Sequence, residues 1–385
     1  MRVVHRFFAA VTVLISTAAI APAQTIDDLN LQIHGYATQG FLYTNQNNWN
    51  TTNSSDGSPA WTEAVVNLTV QPQSKLRIGV QARYMLLGNF GNTITLDYAQ
   101  ADYQASDLFG FRVGKVKTPV SLFNESQDID PTQLWVLLPQ SIYPISSRSS
   151  TLAHYGGVVY GKVSLGERRG KLEYRAFGGE RVISSDDALF QALLANGISM
   201  PNGLAGPTFG GTLRWIAPIH GLVFGASENS GTASGALTAG SYQGTLSVPQ
   251  YRQTFYFGRY EHNRFMLAGE YNRTQDLITM AIPAVGSAAA ANDLRPFYAM
   301  STYRISDKLS AGLYYSYFLD HKAALTSSRY QKDWALTARY DFSPFLYAKL
   351  EQHWMDGTGE GFIASDNPNL QPTTRMSLLK LGVSF

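Results

Sequence analysis

Arg77 and Arg83 stand six residues apart in a run where Leu76, Ile78, Val80 and Ala82 alternate with polar side chains. In an extended strand this spacing places both guanidiniums on one polar face, beside Gln81 and opposite an apolar one. Arg112 occupies the same kind of position in a second run, and the acidic residues Glu125, Asp128 and Asp130 follow in a long connection. If that connection folds back onto the polar face, opposite charges confront each other across a narrow gap. The chemistry this supports is electrostatic: a transverse field that orients a polar solute. Further bases with the same periodicity are Arg175, Arg214, Arg339 and Lys349, with Lys171 and Lys380 beside them. They are set against Glu63, Asp97, Glu173, Glu270, Asp333 and Glu351, a mixture that predicts only weak preference for one sign of ion. Taken singly, each charge could also do no more than solvate a wet wall. Lys115 and Lys117 are harder to place, because strict alternation puts them with Phe109, Phe111 and Val113. They either snorkel to a membrane edge or follow a bulge that turns them inward, and both are kept as candidates.

Bond-making chemistry has weaker support. After the leader the histidines are His34, His154, His220, His262, His321 and His353, scattered over strands and turns. No Gly-x-Ser-x-Gly or His-Glu-x-x-His run places a nucleophile or metal beside a base. An outer-membrane hydrolase is the rival from another class, and these residues give it no visible site. The chain has no cysteine, which excludes disulfides, thiol catalysis and Cys-based zinc sites. Oxygen ligands at Asp128 and Asp130 could suggest a calcium site, but their spacing is irregular. No cofactor is expected.

The elements that must position these charges are short and numerous. Sixteen strand candidates recur along the chain, from Leu31–Asn45 to Thr373–Phe385, and the connections sort by parity. Gln71–Ser74, Ala105–Asp107, Gly166–Gly170, Ala217–Gly221, Glu261–Arg264, Ser306–Lys308 and Asp341–Pro344 are tight, whereas nearly every connection between them is longer. The apolar sets Leu309, Ala311, Leu313, Tyr315, Tyr317 and Trp334, Leu336, Ala338, Tyr340 each oppose a polar set. The last strand puts Leu379, Leu381, Val383 and Phe385 on one face and Lys380, Gly382 and Ser384 on the other. The fold class this predicts is all-β: a transmembrane antiparallel up-and-down β-barrel of about 16 strands, greasy outside and wet within. A soluble all-β sandwich shares the alternation but has no reason to gather its long loops at one end. The Gly-, Ala- and Ser-rich stretches 231–244 and 281–292 read as mobile external loops, and 186–196 as a short helix capped by Ser185.

Arg2, His5 and Arg6 precede the apolar run Phe7–Ile20, and Ala21-Pro22-Ala23 supplies small residues for cleavage. The pattern predicts a signal peptide over 1–23 followed by one domain over 24–385; as a membrane anchor the run is short. Removing Arg2 and Arg6 from the 30 Lys and Arg leaves 28, equal to the 28 Asp and Glu. A neutral mature chain gives no reason to expect a nucleic-acid partner.

The connection Pro119–Leu152 is too apolar at Leu134–Leu138 to sit in bulk water. It is expected to fold into the barrel interior, with packing against a neighbouring subunit as the alternative. Here the chain resembles the porin superfamily that includes the phosphate-selective porins. The likeness lies in Arg112-Val113-Gly114-Lys115-Val116-Lys117-Thr118-Pro119, Leu122-Phe123-Asn124-Glu125 and Leu137-Leu138-Pro139-Gln140-Ser141-Ile142-Tyr143, with an opening Ile33-His34-Gly35-Tyr36 and a closing Phe385. The resemblance implies a 16-stranded, usually trimeric barrel in the bacterial outer membrane, surrounded by lipid, with the third long loop narrowing a path for small hydrophilic solutes or ions. It does not imply phosphate, for which a denser ladder of Arg and Lys is expected.

Overall fold

The computed structural model describes residues 30–385 except Asp186; the signal-peptide reading of 1–23 lies outside the described residues. Eighteen strand segments form one sheet. Gly286–Leu294 and Phe297–Arg304 lie end to end against the same neighbour, interrupted at Arg295-Pro296, and Ile198–Ser199 is a two-residue patch on the rim. Counting the first two as one stave and omitting the patch leaves sixteen. They are β1 (Gln32–Thr44), β2 (Ser58–Gln73), β3 (Leu76–Leu87), β4 (Phe90–Gln104), β5 (Gly110–Lys117), β6 (Ala153–Ser164), β7 (Lys171–Ile183) and β8 (Leu204–Ile216). The remainder are β9 (Leu222–Ala239), β10 (Tyr242–His262), β11 (Phe265–Ile282), β12 (the two end-to-end segments), β13 (Leu309–Leu319), β14 (Tyr330–Asp341), β15 (Leu346–Gly357) and β16 (Thr373–Ser384).

Every neighbour is antiparallel, and β1 pairs β16 from Tyr36 opposite Ser384 to Thr44 opposite Met376. Reciprocal backbone hydrogen bonds between Gly35 and Phe385, 3.0 and 3.1 Å, fasten the closing residue. A closed sheet has no free end strand, which is what lets strands cross a bilayer with every backbone group paired. The outward side chains form the expected apolar band. Near the short turns it carries exposed aromatics, among them Phe109, Trp215, Phe224, Phe342 and Phe385. Toward the other end, outward ion pairs Glu228–Arg252 and Lys332–Asp356 mark where the wall leaves hydrocarbon.

The two stretches expected to be mobile loops are strand instead. β9, β10 and β11 run to 18, 21 and 18 residues, about twice the ~9–11 a membrane strand needs. The added height is stable because the inner face of the tall hairpins, Leu237, Leu246 and Val248, packs on Phe190 and Met200 of the connection from β7 to β8 and on Leu204 at the start of β8. That connection carries α2 (Ala188–Ala195), inside the expected helix. A four-residue helix, α1 (Arg148–Thr151), closes the long inner connection.

Candidate functional site: the inner loop and the lumen wall

Residues 118–152 leave the wall where β5 ends and fold into the barrel. The apolar segment that could not face water explains this: Trp135 and Leu138 pack with Tyr143, Tyr298 and Tyr314, and Val136 and Leu137 join Trp49, Trp61, Leu42 and Leu87. Trp135 stacks obliquely on Tyr314, ring centroids 4.8 Å apart.

Around this apolar filling the predicted charges meet in direct contact, with no gap between them. Arg83 binds Glu63 at 2.6 Å. Lys117 binds Asp128 at 2.6 Å and donates to the Glu125 carbonyl. Arg112 bridges Asp102 and Glu125 at 3.0 and 2.8 Å, and Arg175 takes the other Glu125 oxygen. Asp130 receives Lys349 at 2.9 Å, Lys380 at 2.7 Å and the Tyr347 hydroxyl at 2.7 Å. Arg339 pairs with Asp341 and donates to the Pro131 and Gln133 carbonyls. Arg214 donates to the Ser121 and Leu122 carbonyls. Nine predicted residues, Arg112, Lys117, Glu125, Asp128, Asp130, Arg175, Arg214, Arg339 and Lys349, thus staple the loop to the wall, while Arg83 pairs within the wall, β3 to β2. The ammonium groups on Asp128 and Asp130 stand where a bound cation would.

Two candidates stay apart. Arg77 is exposed near the short-turn end of β3, opposite Asp102 in register, and reaches no loop residue. Lys115 donates to the Leu96 carbonyl and lies 5.4 Å over the outward Tyr155 ring, which is the snorkelling alternative. Lys117 turns inward beyond the point where β5 has parted from β4, though it still pairs with Ala153 of β6. A bulge does occur, but in β4, where the register skips between Gln81 and Ala82 and puts Asp97 on the lumen side next to Tyr98.

Burial alone would raise the Asp130 carboxyl, but Lys349 and Lys380 hold it well below the usual carboxylate range. Glu125 is lowered likewise, burial being outweighed by Arg175 and Arg112. In the connection from β15 to β16 the opposite holds: burial, then the Asp333 carboxylate, push Glu360 up to about 8.

Sequence reasoning missed Arg148, and it placed Glu351 and Glu270 on the lumen face without their loop contacts. Arg148 of α1 binds Asp97 at 2.6 Å and Glu63 at 3.2 Å. Glu351 accepts from the Val136 and Leu137 amides at 2.8 and 3.0 Å, and from His353, whose other ring nitrogen meets Asp333 at 2.9 Å. Glu270 accepts from the Leu122 amide and from the Tyr143 and Tyr298 hydroxyls. Arg181 and Asp276 lay just past the expected ends of β7 and β11, at Glu180 and Thr274. Continuing the period of two from Arg175 and Glu270 would have put both on the lumen face.

The lumen space divides accordingly. At the short-turn mouth a cavity of about 600 Å³ is bounded by Arg112, Arg175, Lys171 and Glu173. On the long-loop side about 330 Å³ lies between loop residues Ser141–Thr151 and a wall of Arg181, Gln253, Thr274 and Asp276. Below it, about 30 Å³ is lined by Thr118, Asn124, Thr151, His154, Asn229 and Gln253, uncharged apart from Arg181 at its edge. That neck is roughly the volume of one water.

The fold is that of outer-membrane porins. The chain is similar to OmpF of Salmonella typhi in complex with daunomycin, 14% identical with TM-score 0.56, covering 94% of this chain and 99% of that one. It is also similar to the anion-selective porin of Comamonas acidovorans, 8% identical with TM-score 0.55, covering 92% and 99%. A third likeness is to OmpT of Vibrio cholerae in trimer form, an outer membrane protein, at 12% identity and TM-score 0.53 over 92% and 99%. No family model and no curated protein sequence matches the chain.

Proposed function

We propose that this protein, exported by cleavage near Ala23, is a narrow outer-membrane channel through which small hydrophilic solutes and ions diffuse down their gradients. The observation that carries this reading is the inner loop: buried in the lumen of a closed barrel, it leaves one cavity on the short-turn side and others on the long-loop side. The apolar outer band supports contact with membrane lipid, and the trimer form of one structural neighbour supports a homotrimer. Because most lumen cations are paired with carboxylates, Arg77, Arg181 and Arg214 excepted, selectivity for anions or for phosphate is expected to be weak, with a reversal potential near zero in a salt gradient.

Purified protein in planar bilayers is expected to open in small, discrete steps. A second reading, a structural barrel with a blocked lumen, is favoured by the tethering of the loop to strands on every side, from Glu63 and Asp97, which hold Arg148, round to Glu270 and Glu351. Absence of steps at any voltage would overturn the channel and select the blocked barrel. Lipase or protease turnover would select the hydrolase.

A further inference from the structure

Six cationic side chains in the lumen are nine-tenths or more buried: Arg83, Lys117, Arg148, Arg181, Lys349 and Lys380. Five have a carboxylate within ion-pair distance. Among the described residues Arg181 has none, and its Nε has no acceptor. Its guanidinium lies 4.0 Å from the Tyr251 ring centroid and hydrogen-bonds the neutral Tyr251 hydroxyl, on the edge of the 330 Å³ cavity. A buried, unpaired guanidinium is costly unless something supplies the missing negative charge.

Asp276 borders the same cavity. It sits directly opposite Tyr251 in the sheet register, so it flanks the ring that carries Arg181. Its carboxylate accepts one hydrogen bond, from Asn292 at 2.7 Å, and has no cation within ion-pair distance among the described residues. Two opposite charges, close enough to feel each other but not in ion-pair contact, therefore face one space. The other acids around the cavity differ: Asp187 is engaged by the Ser147 and Ser149 hydroxyls, and Glu360 lies near Asp333. Between Arg181 and the neck the wall is a hydrogen-bonded run of neutral groups, Thr208 to Asn229 to Gln253 to Thr274 to Asn272.

We infer that this antechamber binds the head group of a small zwitterionic α-amino carboxylate, the carboxylate on Arg181 and the ammonium on Asp276, with Tyr251 beneath. A guanidinium offers two parallel donors to a carboxylate, and a solute carrying both charges a few ångströms apart bridges the pair where a simple anion or cation satisfies only half of it. The amide and hydroxyl run then supplies exchangeable hydrogen bonds toward the neck. The inference rests on the channel reading for its purpose, but binding is measurable without transport.

The test is saturation-transfer NMR on the full-length, detergent-folded protein with alanine, propionate and ethylammonium as probes. Alanine is expected to bind at least tenfold more tightly than either singly charged probe. R181Q and D276N are each expected to weaken alanine about tenfold, roughly 1.4 kcal/mol by the affinity relation. Heat-modified gel mobility checks that both variants fold. Propionate binding as well as alanine, with D276N silent, would overturn the zwitterion in favour of a plain anion subsite; no binding by any probe would overturn the site. Conductance steps without alanine binding would sink this inference alone, whereas binding without steps would sink the channel reading alone.

Discussion

The two sides of the lumen are built from the same residue types and treat charge in opposite ways. On the side of β1–β5 and β14–β16, loop carboxylates meet wall cations at 2.6–2.9 Å, so charge is consumed in holding the loop. On the side of β7–β11, Arg175, Arg214 and Glu270 still hold the loop, but around the long-loop cavity the wall is mostly amide and hydroxyl, and Arg181 and Asp276 there have no ion-pair partner among the described residues. Buried charge thus does mechanical work where it is paired and is available to solute where it is not. The contrast also explains why a chain with many lumen bases need not select anions: a neutralised base contributes little field beyond its own pair.

Removing one carboxylate from each side separates these roles most sharply. Asp130→Ala leaves Lys349 and Lys380 buried without their common partner, and should cost about 3–5 kcal/mol. Asp276→Asn breaks no ion pair and should change stability by less than about 1 kcal/mol. Urea unfolding of the detergent-folded protein, followed by Trp fluorescence, reads both. Equal losses would erase the distinction between the two sides.

Acid should act on the stapled side alone. The Asp130 and Glu125 carboxyls are held low in the folded protein, so their stabilisation is complete above the ordinary carboxylate value of ~4 and is lost as pH falls through the lowered one. Between pH 5 and pH 2, limited proteolysis within 118–152 should rise. Glu360 has the reverse sign. Raised to about 8, it favours the folded state fully below ~4.5 and loses that contribution as pH climbs toward 8. Protease sensitivity of residues 358–372 should therefore grow from pH 5 to pH 9, and Glu360→Gln should flatten that profile.

A packing change tests whether the loop is held by shape as well as charge. A Cβ on Gly312 of β13 would fall 2.8 Å from the Trp135 ring and 2.9 Å from Leu134. Gly312→Ala should cost about 1–3 kcal/mol through overpacking, seen in the same urea experiment. If it costs nothing, the apolar segment is looser than its burial implies.

The barrel was legible in the sequence because alternation with period two carries the face of every residue. One error in face could not survive sixteen strands whose outer sets are exposed, such as Leu379, Leu381 and Val383, or half-buried, such as Tyr315 and Tyr317. The staple residues were legible for the same reason, since Arg112, Arg175 and Lys349 follow from parity. The pairings were not. Whether Asp130 meets Lys349 or Arg112 depends on how residues 118–152 turn, and that path is set by where Trp135 and Leu138 find apolar partners, which no spacing reports. The tall hairpins were misread because Gly and Ala dominate 231–244 and 281–292. Their strand character comes from Leu237, Leu246 and Val248 packing on a neighbouring connection, a tertiary effect that overrides propensity.

The smallest effect belongs to Arg77, and it probes how far a lumen charge counts when it is neither paired nor enclosed. Arg77 shares a strand and a face with Arg83, yet it is exposed at the short-turn end while Arg83 is buried against Glu63. Solvent screens an exposed charge within about 8–10 Å at physiological salt, and no loop acid lies against it. Arg77→Ala should change unfolding by less than about 0.5 kcal/mol and leave the reversal potential in a KCl gradient unmoved. Arg83→Ala leaves Glu63 with Arg148 and Lys380 as its remaining cations, and should lower stability measurably. A shift in ion preference from Arg77→Ala larger than that from Arg83→Ala would mean that the short-turn mouth controls selectivity, and that the division between a stapled and an open side is not what governs conduction.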